Sequence, residues 1–259
     1  MSEENVIVEN KKNLFWTSMG WLLLGLLIEI IIHAIFKIEL EGIVAYGFVL
    51  YKIYKKYKED KSAFEFLKPK APFKDKIEDI ATHHGLDLFL SMISMFVLYF
   101  ILNTLSIDEI TKILTKVEEI FSTVEYPSIF QFVLAIIGVG IIGPIAEEII
   151  FRGFLYDKHK KYSRTKAMLL NGLIFGLVHG GFLPPHYLGG LILFNIRDKQ
   201  GDIYGAMGLH ILNNIMVLFE FYLPISMDVL SYALIGFYII TLFKQGPLLF
   251  KKNKEVYAT

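Results

Sequence analysis

The 259-residue chain is 54% hydrophobic and 15% aromatic, balances 26 basic against 26 acidic residues, and has a mean hydropathy of +0.49. These values indicate a multi-spanning membrane protein and leave no net charge to attract nucleic acid. With no cysteine in the chain, a disulfide framework, a thiol nucleophile and a thiolate-bound zinc are excluded.

A crossing needs about 20 apolar residues for roughly 30 Å of hydrocarbon. In chain order, spans are predicted near 13–36, 39–55, 85–105, 128–156, 166–183, 186–197, 203–223 and 226–244, the second and sixth being short. The polar start MSEENVIVENKK has no small-residue cleavage site, so the first apolar run is expected to be a retained span and not a signal peptide. Loop charge gives the orientation, because cytoplasmic connections carry the excess of Lys and Arg. Nine lysines lie between Lys52 and Lys76, whereas 106–127 holds only Lys112 and Lys116 against five acids. Eight spans then place both termini in the cytoplasm. The segments 59–80 and 106–124 carry apolar residues at helical spacing among charges, and are expected either to lie along the membrane surface or to be solvated linkers. The expected architecture is all-α, a polytopic membrane helix bundle of about eight transmembrane spans. It is one structural domain: 1–126 holds spans one to three and the basic loop, 127–217 a polar core, and 218–259 the end of span seven, the last span and a basic tail.

Within the fourth span, GPIAEEIIFRGFL sets Glu147, Glu148 and Arg152 in otherwise apolar sequence. An ionisable group in hydrocarbon costs about 2.5 to 3.5 kcal/mol on insertion scales, so by default it faces a protein interior and points to function. Glu148 and Arg152 are four apart and share a helix face, while Glu147 lies about 100° away. One carboxylate is therefore paired and the other is free to act as a general base or acid. Gly143 and Pro144 just before them loosen the helix and free backbone carbonyls, as expected beside a cavity. Span five aligns Asn171, Phe175 and His179 at intervals of four, and span seven aligns His210 with Asn214. Counted from the cytoplasmic ends at 1.5 Å per residue, Glu147, His179 and His210 all fall roughly 10 to 18 Å deep, where they can meet.

Other polar residues take plainer roles. Glu29 caps a neighbouring element or lines the cavity, and Glu220 sits near the outer end of span seven. His33, His83, His84 and His159 lie at span edges or in basic loops. Asn195, Arg197 and Asp198 are expected in a cytoplasmic turn, and His186 in an outer loop.

The succession EExxxR (Glu147, Glu148, Arg152), FxxxH (Phe175, His179) and HxxxN (His210, Asn214) resembles the CAAX prenyl endopeptidase and bacteriocin-processing family, also called Abi, over roughly residues 127–217. The resemblance implies an intramembrane endopeptidase acting near the cytoplasmic face. It assigns Glu147 as the base that activates water and His179 as the group that holds that water. His210 and Asn214 stabilise the oxyanion, and Glu148, Arg152 and Phe175 support the site. It implies no cofactor; zinc on Glu147, His179 and His210 is the alternative, although the chain has no HExxH spacing. Expected partners are membrane lipid and a peptide or protein substrate near the cytoplasmic face, with no nucleic acid and the oligomeric state open. Substrates in the family include prenylated proteins and, in bacteria, peptides linked to bacteriocin immunity and pheromone maturation. Richness in Lys and Ile is compatible with a low-GC bacterium and its plasma membrane. A non-enzymatic membrane scaffold and a transporter are the competing classes, the latter requiring a repeat of broken helices that the sequence does not display.

Overall fold

The computed structural model describes residues 3–37, 39–104, 128–179 and 184–222, and every regular element among them is helical. In order these are α1 (Glu3–Phe36), α2 (Ile43–Glu59), a 3-10 segment (Lys61–Leu67), α3 (Phe73–Thr104), α4 (Ile129–His159), α5 (Arg164–Val178), α6 (Pro184–Gln200) and α7 (Tyr204–Tyr222). Three stretches are long and apolar enough to cross a membrane: Asn13–Phe36, Phe73–Leu98 and Ile129–His159. Tyr204–Phe219 is a shorter apolar helix. Leu23, Leu27, Ile30, Ile31 and Ile35 on α1 and Met92, Phe96 and Phe100 on α3 are exposed, so each of these helices turns an apolar face outward, as a bilayer requires. The predicted eighth span and the segment 106–124 lie outside the described residues.

α4 runs through the middle of the bundle and departs from α geometry twice, at Ile136–Ile142 and Ile149–Leu155, where the turns widen to π-helix. The loosening expected around Gly143 and Pro144 takes this form. A π turn bonds each N–H to the carbonyl five residues back, as Gly143 does to Gly138. Pro144 has no N–H to continue the register, and the next carbonyl, that of Val139, instead accepts from Asn214 Nδ2 at 2.9 Å. The second π stretch is served the same way. Phe151 O accepts from Asn171 Nδ2 at 3.2 Å, and Arg152 O from Arg197 Nε at 3.0 Å. Three neighbouring helices thus satisfy carbonyls along α4, as a low-dielectric interior demands.

The α1–α2 hairpin clasps α4 from one side. Glu29 accepts from the Gly42 and Ala45 amides at 2.6 and 3.1 Å, capping α2 from the preceding helix, which is the first of its two expected roles. The turn it holds lies on Gly138, where a Cβ would stand 2.0 Å from the Glu41 carbonyl oxygen.

Several polar stretches depart from their expected places. Within 59–80, the 3-10 segment packs into the bundle and is not a solvated linker. Ala63, Phe64 and Phe66 are buried, with both rings edge-on to Phe154, because three apolar side chains in seven residues gain more from the core than from an interface. Helix α3 begins at Phe73, twelve residues before the predicted span, so His83, His84 and Asp87 are buried inside it. Asn195, Arg197 and Asp198 form no turn. They continue α6, where Arg197 is buried and Asp198 receives Tyr156 at 2.7 Å and Arg164 at 2.6 Å. The turn comes later, at Gly201 and Asp202.

Asp202 fixes that turn to the segment before α3. Its Oδ2 accepts from the Lys70 and Ala71 amides at 2.6 and 3.1 Å and pairs with Lys76 at 2.9 Å, while Oδ1 accepts from the Tyr204 amide at 3.1 Å. Burial works against the charged form, but these donors outweigh it and hold the carboxyl below its usual range.

Two outcomes are expected. Gly138→Ala drives a methyl into the Glu41 backbone and costs about 1–3 kcal/mol, read as a lowered thermal midpoint in detergent. A carboxyl whose folded pKa is depressed stabilises the fold above its unfolded pKa and stops doing so as pH falls through the folded value. The thermal midpoint therefore drops as pH is lowered below about 4, and Asp202→Asn flattens that part of the profile.

Candidate active site

Arg152 is fully buried beside Glu148, also fully buried, and charges at that depth need partners. Arg152 Nη1 reaches Glu148 Oε1 at 3.0 Å, the i, i+4 pair expected from spacing. Its Nη2 donates to Gly190 O on α6 at 3.1 Å, and its guanidinium lies 4.3 Å from the centre of the Phe175 ring on α5. The same Glu148 oxygen receives His210 Nδ1 from α7 at 2.9 Å. A carboxylate on Nδ1 keeps the proton there and aims Nε2 at the neighbouring glutamate, 3.7 Å from Glu147 Oε2.

Glu147 is the next residue of α4 and faces the other way. Its Oε2 lies 3.2 Å from His179 Nε2, and its Oε1 accepts from the Tyr46 hydroxyl at 2.7 Å. His179 closes the C-terminal end of α5, where Nδ1 donates to Phe175 O at 2.8 Å. With that proton committed to a carbonyl, the contact between Nε2 and Oε2 holds one proton for two groups, either as carboxylate with imidazolium or as carboxylic acid with imidazole. Such a pair can accept a proton from water and pass it on. The Phe175 ring separates the histidines, its centroid 4.2 Å from that of His179 and 5.6 Å from that of His210.

The site opens on a cavity of about 460 Å³ that Glu147, His179, His210 and Asn214 all line. Every predicted site residue is therefore gathered at or directly behind one cavity. Asn214 has one amide hydrogen on Val139 O, which leaves a second free for a ligand. Among the described residues no three His, Asp or Glu side chains are arranged to hold a metal ion. Both Nε2 atoms point at one oxygen of Glu147, and both Nδ1 atoms are engaged.

Sequence reasoning missed four members of the cavity wall. Tyr46 comes from the short second span, and the signal for it was a hydroxyl among apolar residues in GIVAYGFVL, which needs a partner in lipid. His84 and Asp87 belong to the early turns of α3. His186 is not an outer-loop residue. It stands in the first turn of α6, because Pro184 and Pro185 open that helix, and its ring centroid is 5.3 Å from that of His179.

Comparison with known proteins bears on the same segment. Searches of curated proteins and of solved structures returned no match. Residues 129–216 match the family model described as Rce1-like, type II CAAX prenyl endopeptidase. These residues run from the start of α4 into α7 and carry every ionisable group of the Glu147–His179–His210 set. The segment that carries Glu147, His179 and His210 on the cavity wall is thus similar to the type II CAAX prenyl endopeptidases, a family of membrane proteases.

Proposed function

We propose that this protein hydrolyses peptide bonds of membrane-associated substrates with water activated by Glu147, and that the cavity opens toward the cytoplasmic face. The observation that carries the reading is the 3.2 Å contact of His179 Nε2 with Glu147 Oε2, backed by the Tyr46 hydroxyl on the other carboxylate oxygen. Water entering beside Oε2 gives one proton to the Glu147–His179 pair, and the resulting hydroxide attacks the scissile carbonyl carbon. Negative charge then collects on the carbonyl oxygen. His210 Nε2, with Nδ1 held by Glu148, and the free amide hydrogen of Asn214 are the groups that meet that oxyanion. The proton taken from water passes to the leaving nitrogen as the C–N bond breaks, which regenerates the pair.

Arg152 and Glu148 take no part in bond breaking. They fix His210, and Phe175 keeps the two imidazoles apart. The chain supplies base, water holder and oxyanion donors from its own side chains, so the proposed mechanism uses no cofactor. The cytoplasmic placement rests on the lysine-rich segment between Lys52 and Lys76, which with eight spans also puts both termini inside. Family substrates make a prenylated protein tail or a bacterial peptide precursor, including one tied to bacteriocin immunity, the substrate classes to try first.

In proteoliposomes presented with lipid-anchored reporter peptides, Glu147→Gln and His179→Ala lower cleavage by at least about 100-fold with the thermal midpoint retained. Full biological activity of Glu147→Gln overturns the reading in favour of a non-enzymatic regulator. Cleavage by the wild type continues unchanged in the presence of a chelator and is not raised by added zinc. Loss on chelation that zinc restores would instead assign the two histidines to a metal.

A further inference from the structure

The wall of the cavity opposite α4 holds a second carboxylate that water activation does not use. Asp87 on α3 is 7% exposed and lines the same cavity. Its Oδ2 accepts from Asn213 Nδ2 at 2.6 Å, and Asn213 Oδ1 in turn meets His84 Nδ1 at 2.7 Å. Its Oδ1 has no hydrogen-bond partner among the described residues. That oxygen is enclosed beside Gly189. A Cβ placed on Gly189 of α6 would meet only Asp87 Oδ1, at 3.7 Å, with no other atom within 4 Å.

A neutral amide on one oxygen does not compensate a buried carboxylate, which costs several kcal/mol in apolar surroundings until a cation joins it. No Lys or Arg lines the cavity, and no ion pair of Asp87 occurs among the described residues. A peptide N–H arriving there would leave the charge uncompensated, whereas an ammonium or guanidinium group would satisfy it. The position is also suited to a substrate. Asn213 follows His210 by three residues on α7, a rise of about 4.5 Å, so the side chain that holds Asp87 springs from the helix about one turn beyond the oxyanion donor. An extended peptide advances roughly 3.3 Å per residue.

We propose that Asp87, which lines the cavity with one carboxylate oxygen unpartnered, forms a specificity subsite for a Lys or Arg side chain within about two residues of the scissile bond. The inference rests on the proposed endopeptidase site, and its test separates the two. Binding is read in the Glu147→Gln background, so no turnover is needed, with a set of acyl-anchored pentapeptides of Leu and Ala in which Lys or its uncharged isostere norleucine occupies each position in turn. In at least one register the Lys peptide binds about 10-fold tighter than its norleucine twin, as a charge-assisted hydrogen bond provides. Asp87→Asn removes that preference and leaves norleucine binding unchanged. Gly189→Ala, which favours the helix and sets a methyl in contact with Oδ1, weakens Lys binding selectively. The subsite is overturned if no register prefers Lys, if neither peptide of any pair binds, or if the preference survives Asp87→Asn. A lowered thermal midpoint in Asp87→Asn with no change in Lys preference overturns it too, by making the carboxylate structural. Lys preference in binding without cleavage by the wild type would keep the subsite and sink the peptidase.

Discussion

A guanidinium with no exposure to solvent is the constraint around which this bundle is arranged. Arg152 cannot be left uncompensated in hydrocarbon, and its compensation is spread over three helices: Glu148 on α4 itself, the Gly190 carbonyl on α6 and the Phe175 face on α5. Glu148, once paired, still has the capacity to accept from His210 and so brings in α7. Four helices are therefore set relative to one another by a single charge and its partners. The orientation of His210 toward Glu147 is the chemical product of that arrangement.

The π stretches of α4 complement this packing. A regular helix would have closed its carbonyls on itself and offered nothing for side chains of other helices to hold. By widening at Ile136–Ile142 and Ile149–Leu155, α4 exposes carbonyls to Asn214, Asn171 and Arg197, each from a different neighbour. Asn214 consequently serves two ends, since the amide that replaces the missing N–H of Pro144 also presents a hydrogen to the cavity.

The polar residues around Glu147 were legible in the sequence for a definite reason: ionisable groups are rare in apolar helices, and intervals of four put Glu148 with Arg152, Phe175 with His179, and His210 with Asn214 on common faces. Helical phase also separated the partners of the two glutamates, Arg152 for Glu148 and none of its own helix for Glu147. Where charge was dense, the reading failed. Around Asn195, Arg197 and Asp198 polarity suggested a turn, yet these side chains are consumed by partners on other elements and the helix runs on to Gln200. Likewise His83 and His84 looked like the edge of a span, because single-sequence hydropathy cannot register that Asn195 and Asn213 come across the bundle to meet them. Tyr46 is a case of the same blindness, since its partner stands 101 residues away.

The origin of the cavity wall in two parts of the chain has a further consequence. Residues 129–216 contain the groups proposed to handle water and the oxyanion, but the tyrosine on Glu147 and the carboxylate at Asp87 come from before residue 129. Chemistry and the surroundings of the reacting bond are thus encoded by separate stretches of one gene. Change in the first hundred codons can retune which peptides are admitted while the hydrolytic apparatus is inherited intact, and so can give rise to paralogues that share a reaction and differ in diet.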